Sequence, residues 1–363
     1  MPAYKDKERN TWYCSFYVSK NGKRVIKKKR GFSTKRQALE YERKYLEQYN
    51  GLVDDMTFQA LWELYKKDMK PRLRESTMQG KENVVNLKIL PYFGNMKVTD
   101  IKSTHVREWQ NEMLKLGYKE TYLKTINNQL SAIFNYCVNY YDLSSNPVRK
   151  AGSIGKAKAD EMEYLTIEEF EKFIKGVSDN PRSEIAFKVL FWTGMRVGEL
   201  LALTCKDIDF DNNTIHITKS FQRIKRKDVI TAPKTPRSVR DITIPETLKN
   251  ELLNYVNHLY GVTENERIFH FTKSGLGHEL LRGIKNSGVK KIRIHDLRHS
   301  HATTLIEMGV PILEVRDRLG HEKVETTLNT YGHLYPNKQL KIAEKLELKM
   351  SKKESGENAK TEK

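Results

Sequence analysis

EIAFKVLFWTGMRVGELLAL, residues 184–203, is the stretch from which the fold class is read. Residues 184–193 form an apolar helix that ends at Gly194, and residues 200–203 return to helical register. The run is far shorter than the ~20 apolar residues a membrane span needs. It reads instead as a core helix, which sets Arg196 in a partly buried turn. Upstream, Thr166 and Glu169 have the spacing of a capping box opening another helix. Downstream, residues 206–244 read as a small antiparallel sheet. Residues 211–213 form one turn, residues 214–221 alternate as one strand, and residues 233–237 (PKTPR) form a second loop. Helices resume at residues 246–259, 296–308, 311–319 and 323–330. Pro311 at a helix start and Gly320 past its end bound the third of these.

Toward the N-terminus the character changes. Residues 57–150 carry few strand signals. Phe58, Leu61, Trp62 and Tyr65 share one helical face, Pro71 interrupts, and Ser76 or Thr77 restarts a helix that runs to Leu90 before Pro91. Residues 103–116 and 120–141 add two more helices, and residues 143–147 close the unit. Residues 149–160 and 51–55 read as linkers. Ahead of these, residues 11–19 alternate, Asn21-Gly22 is a hairpin signal, and residues 23–30 return before Gly31 and Phe32 break the strand. Thr34 and Gln37 then cap a helix running to Tyr49. Residues 351–363 are polar and read as a disordered tail. The expectation is a multidomain α+β chain. It comprises a small β-sheet-plus-helix module at 1–50, an all-α four-helix unit at 56–150, and a mainly helical domain with a small antiparallel sheet at 160–350.

The charge narrows the partner. Among 363 residues, 65 Lys and Arg face 46 Asp and Glu, a net +19. Residues 1–50 alone hold 14 against 5. Such an excess points to a polyanion, most simply nucleic acid. Trp12, Tyr13, Phe16, Tyr17 and Val18 supply a small core, which distinguishes a folded module from a basic tail. Lys27, Lys28, Lys29 and Arg30 are its candidate phosphate contacts. Cys14, Cys137 and Cys205 are scattered, so neither a disulfide framework nor a cysteine zinc site is expected, and a reducing cytosol fits. Residues 1–10 are polar and do not read as a secretory signal.

Four fragments stand out together: Thr193-Gly-Met-Arg-Val-Gly-Glu199, Pro233-Lys-Thr235, His295-Asp-Leu-Arg-His299, and Leu319-Gly-His321 with Tyr331 ten residues on. Each alone is a weak signal. As a set, and with the three-part plan, they make the whole chain resemble the tyrosine recombinase family, in particular phage and integrative-element integrases. The resemblance implies an arm-type DNA-binding module, a SAM-like core-binding domain and a catalytic domain. It also implies site-specific cutting and rejoining of double-stranded DNA through a 3′-phosphotyrosine, with no metal, cofactor or ATP. Arg196 and Arg298 would clamp the nonbridging oxygens with planar forks. His295 and His321 complete the site, and Tyr331 is the nucleophile. Tyr335, four residues on, is its competitor, and the Leu328-Asn-Thr-Tyr331 pattern favours Tyr331. Lys219, Lys225, Lys227 and Lys234 all lie on or near the hairpin; the resemblance favours Lys234 as general acid. His299 and His301 read as structural or phosphate-proximal. The resemblance further implies a homotetramer on core and arm sites, an excisionase or host DNA-bending protein as accessory, and a cytoplasmic, nucleoid-associated location in a bacterial host.

Other readings remain beside it. His295 and His299 have the i,i+4 spacing of a zinc ligand pair, although Asp296 stands where a metalloprotease has Glu. Arg196 and Glu199 fit a surface ion pair. A non-catalytic DNA-binding regulator would suit the basic N-terminus but leaves the catalytic set unexplained. A type IB topoisomerase shares the chemistry but not the small three-part plan. Residues 336–350 carry apolar positions at roughly helical spacing and are expected to form a helix docking on a neighbouring subunit.

Overall fold

The computed structural model describes residues 3–6, 9–20, 23–49, 55–157, 162–233, 235–261 and 263–332, with Ala343, Leu346 and Glu347. They fall into two compact units, Met1–Asp160 and Glu161–Lys363. Lys234, Tyr335, the tail at 351–363 and nearly all of the expected helix at 336–350 lie outside the described residues. Among the described residues, no helix is long and apolar enough to cross a membrane.

In the first unit, β1 (Ala3–Asp6), β2 (Thr11–Lys20) and β3 (Lys23–Phe32) form an antiparallel sheet in that order, and α1 (Lys35–Tyr49) packs on it. Ala3, Cys14, Phe16, Ala38 and Tyr45 are its core. Thr34 Oγ1 accepts from the Gln37 N–H at 3.2 Å. The reciprocal bond comes from Ser33 N–H, not Thr34. β1 had no sequence signal, because only Ala3 of its four residues is buried. Nor does β3 break at Gly31. Tyr13 pairs with Arg30 and Trp12 with Phe32, so Gly31 is the extra residue of a bulge and pairing continues through it.

A second core lies among α2 (Phe58–Met69), α3 (Glu75–Val84), α4 (Leu90–Phe93), α5 (Ser103–Lys115), α6 (Glu120–Tyr140) and α7 (Pro147–Ala151). α3 starts at Glu75, one residue before the expected Ser76. Pro91 does not end this segment. A wide π turn at Val85–Ile89 leads into α4, whose first turn holds the proline, where a missing N–H removes no helical bond. The expected linker from residue 149 begins too early: Val148 and Ala151 are buried in α7 against the core.

In the second unit, α8 (Ile167–Lys175) opens on the Thr166–Glu169 capping box. α9 (Pro181–Thr193) runs through the core and α10 (Val197–Leu200) follows its glycine turn. The expected single strand at 214–221 is two strands. β4 (Ile208–Asp209), β5 (Thr214–Ile217) and β8 (Arg240–Thr243) make one sheet, β6 (Ser220–Ile224) and β7 (Lys227–Thr231) another. Lys219, at the break, turns to Asp207 at 2.7 Å. α11 (Glu246–Asn257), α12 (Lys273–Ser287), α13 (Asp296–Glu307), α14 (Ile312–Leu319) and α15 (Val324–Tyr331) complete the unit. α12 escaped the sequence reading because Gly275, Gly277 and Gly283 lower helix propensity. Packing overrides this: a Cβ on Gly283 would stand 2.4 Å from Val177 Cγ1 and 2.6 Å from Phe173 Cε2, so the glycine permits α12 to close on α8.

Candidate active site

Two helix ends converge on one buried guanidinium. α9 stops at Gly194, whose φ of 65° turns the chain out of the helix. A Cβ there would lie 2.5 Å from His301 Cδ2, so the position admits only glycine for a second reason. α14 stops at Leu319. Arg298, in the first turn of α13 and 2% exposed, donates from Nη1 to Gly194 O at 2.8 Å and from Nη2 to Leu319 O at 2.6 Å. Carbonyls at helix C-termini lack intrahelical partners and carry partial negative charge, which offsets burial of the cation. Burial, reinforced by nearby Arg196, still presses the Arg298 pKa downward. A guanidinium has five N–H donors. Arg298 uses two, and the others meet no acceptor among the described residues. The fork is held in place by backbone, with donors to spare.

Arg196 stands at the start of α10 and donates from Nη2 to Gly320 O at 3.3 Å. Its Nη1 donates to Glu199 Oε1 at 2.8 Å, and its backbone N–H to Glu199 Oε2 at 2.9 Å. The expected i,i+3 ion pair therefore exists, but it is not a surface pair, since Glu199 is 3% exposed. Glu199 also accepts from Arg240 Nη2 at 2.9 Å. Burial raises the Glu199 pKa, and the two guanidiniums more than reverse this, holding the carboxyl below its ordinary value. Arg240 also donates to Arg318 O at 2.8 Å and Ser238 O at 3.0 Å, so each of its three nitrogens is engaged by protein. No motif marked this residue; only the pairing across 41 positions reveals it.

Four histidines surround the arginines. His295 caps α13, and its ring lies 5.0 Å from that of His299. Burial, then the His299, Arg298 and Arg196 charges, push the His295 pKa to about 4. His321 follows Gly320. Its Nδ1 lies 2.9 Å from Thr327 Oγ1, and burial with Arg298 and Arg196 pushes it to about 3. His301, 4% exposed, accepts at Nε2 from Arg318 Nε at 3.0 Å, a structural contact. His299 is lowered chiefly by burial as well. Burial thus biases all four rings toward the neutral form.

Tyr331 ends α15. It is 2% exposed, within a cluster of Ala302, Ile306, Val315 and Leu319. Its hydroxyl lies 2.5 Å from His299 Nδ1. Burial raises the phenol pKa, and Arg298 only partly counters it. Arg196, His295, Arg298, His321 and Tyr331 thus come together from three separate sequence segments. Lys234 lies outside the described residues. Lys219 is committed to Asp207 and Thr204.

The basic run of β3 divides by strand alternation. Lys28 lies over the Tyr13 ring at 4.3 Å and Arg30 at 5.8 Å, on the face where Tyr4 stacks on Tyr13. Lys27 instead points to the α1 side, 2.6 Å from Tyr45 Oη and 3.2 Å from Asp142 Oδ2. The Lys27 ammonium is thus engaged by protein groups, Lys29 is exposed, and Arg30 also lies 3.6 Å from Asp6 Oδ2. Tyr4 and Tyr17, both exposed, join the open face.

Known proteins are similar over most of the chain. The ICEBs1 integrase of Bacillus subtilis is 30% identical over 338 residues, spanning 87% of this chain and 90% of its own length. The chain belongs to the phage integrase family. The integrase matches that family over residues 163–338, the "Phage integrase, N-terminal SAM-like domain" over 57–114 and the "Arm DNA-binding domain" over 2–49. A XerC-like tyrosine recombinase of Caldanaerobacter subterraneus is 29% identical, covering 90% of this chain and 92% of its own. The Tn1549 transposon integrase, solved in complex with circular intermediate DNA, shares the fold with a TM-score of 0.68 and 21% identity. That alignment covers 80% of this integrase and all of the other chain.

Proposed function

We propose that this tyrosine recombinase cuts and rejoins double-stranded DNA at specific sites, and integrates and excises a phage or mobile element. Arg196 and Arg298 grip the nonbridging oxygens of the scissile phosphate, where negative charge concentrates in the transition state. His295 and His321 add neutral donors. In the Nε2–H tautomer, His321 Nδ1 accepts from the Thr327 hydroxyl 2.9 Å away and its Nε2–H serves a phosphate oxygen. Tyr331 attacks phosphorus, and Lys234 protonates the departing 5′ oxygen. The engagement of Lys219 by Asp207 favours Lys234 over that competitor. The observation that carries the reading is the buried Arg298 fork, fixed by two carbonyls with donors to spare, in one cluster with Arg196 and Tyr331. The matched segments support residues 160–350 as the catalytic domain, 56–150 as the core-binding domain and 1–50 as the arm module. Lys27, Lys28, Lys29 and Arg30 are its phosphate contacts, with Lys28 and Arg30 beside the exposed tyrosine face. The working form is a homotetramer on DNA, assisted by an excisionase or a host DNA-bending protein.

A nicked suicide substrate tests this. Wild type is expected to accumulate a covalent adduct that Tyr331→Phe does not form, with DNA binding retained. Adduct in Tyr331→Phe would overturn the assignment. Lys234→Ala is expected to cleave slowly and to be rescued by a bridging 5′-phosphorothiolate, whose sulfur leaves without an acid. Failure of that rescue removes Lys234 from the role.

A further inference from the structure

The hydroxyl of Tyr331 is buried, its pKa is raised by that burial, and its hydrogen-bond partner is the Nδ1 of His299, 2.5 Å away. A phenol in such a place does not ionise ahead of attack. Its proton must leave as the new bond forms, and a group within hydrogen-bond reach must take it. We propose that His299 is that group. Its Nδ1 accepts the phenolic proton as the Tyr331 oxygen bonds to phosphorus, and returns it when the strand is rejoined. The inference rests on the reading of Tyr331 as nucleophile. In cleavage the Tyr331 O–P bond forms and the P–O5′ bond breaks. The phenolic proton passes to His299, and the 5′ oxygen takes a proton from the general acid. Rejoining runs each transfer backward, so nothing is consumed.

The surroundings suit the role. His299 is neutral at rest, and in the Nε2–H tautomer its Nδ1 carries a lone pair toward the hydroxyl. The charged and titratable groups around it are His295, Asp296 and Arg298 on or at the start of its own helix, Arg293 before that helix, His321 beyond α14, and Tyr331 on α15. Asp296 favours the imidazolium, while Arg298 and Arg293 oppose it. A phosphate seated on Arg196 and Arg298 brings negative charge that offsets this opposition, so basicity at His299 rises when DNA is in place. A packing role would need only an acceptor for a buried hydroxyl, which any amide oxygen supplies.

That difference defines the test. His299→Gln in the full chain keeps an acceptor but cannot hold a proton. Single-turnover adduct formation on the nicked substrate is followed from pH 5.5 to 9.5, with DNA binding measured alongside. The variant is expected to bind DNA like wild type and to cleave ~100-fold or more slowly at pH 7. Its rate should climb about tenfold per pH unit to the alkaline end, where wild type has levelled off. The bridging 5′-phosphorothiolate should not rescue it, and 3,5-difluorotyrosine at position 331 should. A rate within about threefold of wild type, an unchanged pH profile, or faster adduct formation would overturn the role of His299. Tyr331→Phe run in parallel separates the two readings, since an adduct there sinks the nucleophile itself. Should His299→Gln fail to fold, difluorotyrosine in the otherwise natural chain decides. A pH limb that stays in place supports proton transfer to His299, and one that moves down with the phenol pKa refutes it.

Discussion

Replacing Glu199 by Gln tests the frame that holds Arg196. The carboxylate is 3% exposed and accepts from Arg196 Nη1 at 2.8 Å, Arg240 Nη2 at 2.9 Å and the Arg196 N–H at 2.9 Å. The amide has the same shape but one acceptor oxygen, and its NH2 must face one guanidinium donor to donor. At least one charge-assisted bond is lost, worth about 1.5–3 kcal/mol. Arg240, with its side chain only 7% exposed, is then left without a counter-charge. Breaking a buried pair in this way costs about 3–5 kcal/mol. The expected loss is therefore about 3 kcal/mol, or roughly 6–12 °C in Tm for a unit of this size. Urea unfolding read by fluorescence measures it. At 20 °C the variant should still bind core-site DNA, because a negative charge has been removed, yet give little covalent adduct, because Arg196 is no longer oriented. A stability change below ~0.5 kcal/mol would show that the network does not hold the site, and normal adduct yield would show that Arg196 needs no such frame.

Arg196→Lys is expected to be nearly inactive, since an ammonium cannot reach Gly320 O, Glu199 and phosphate with one planar fork; near-normal cleavage would reduce Arg196 to an ion-pair residue. His301 has a folded pKa near 3, set by burial and then Arg318, below the ordinary 6.5 of the unfolded chain. The unfolded chain therefore binds the extra proton, and stability falls as pH drops below about 6.5, by about 2 kcal/mol from this group between pH 7 and pH 5. His301→Gln should reduce the pH dependence of the urea midpoint by that amount, and an unchanged dependence would count against the buried neutral ring. Deleting residues 1–50 removes a separate small core and the contact of Lys27 with half-exposed Asp142, so core-site cleavage should survive. Binding to DNA that carries the flanking arm sequence should lose salt sensitivity, by about 0.9 in log–log slope per phosphate contact removed. Loss of core-site cleavage, or an unchanged slope, would refute a detachable arm module.

The local chemistry was legible in the residues themselves. The alternating strand with Asn21-Gly22, the capping residue Thr34, the capping box at Thr166, the helix ending at Gly194 and the His295–Arg298 and Leu328–Tyr331 motifs are all short-range patterns, which the chain encodes over a few residues. Alternation alone would also have divided Lys28 and Arg30 from Lys27. Other features depend on what meets what after folding. α12 forms despite three glycines because close packing on α8 outweighs propensity. β3 continues past Gly31 because that glycine is absorbed as a bulge while pairing with β2 goes on. The acceptors of Arg298 are backbone carbonyls, which every residue possesses, so no residue type could announce them. Arg240 joins Glu199 across 41 positions, and His299 meets Tyr331 across 32. Sequence thus determined which groups are available for phosphate chemistry. Tertiary structure decided their charge states and partners, because burial and long-range approach, not residue type, set the desolvation and hydrogen bonding of each group.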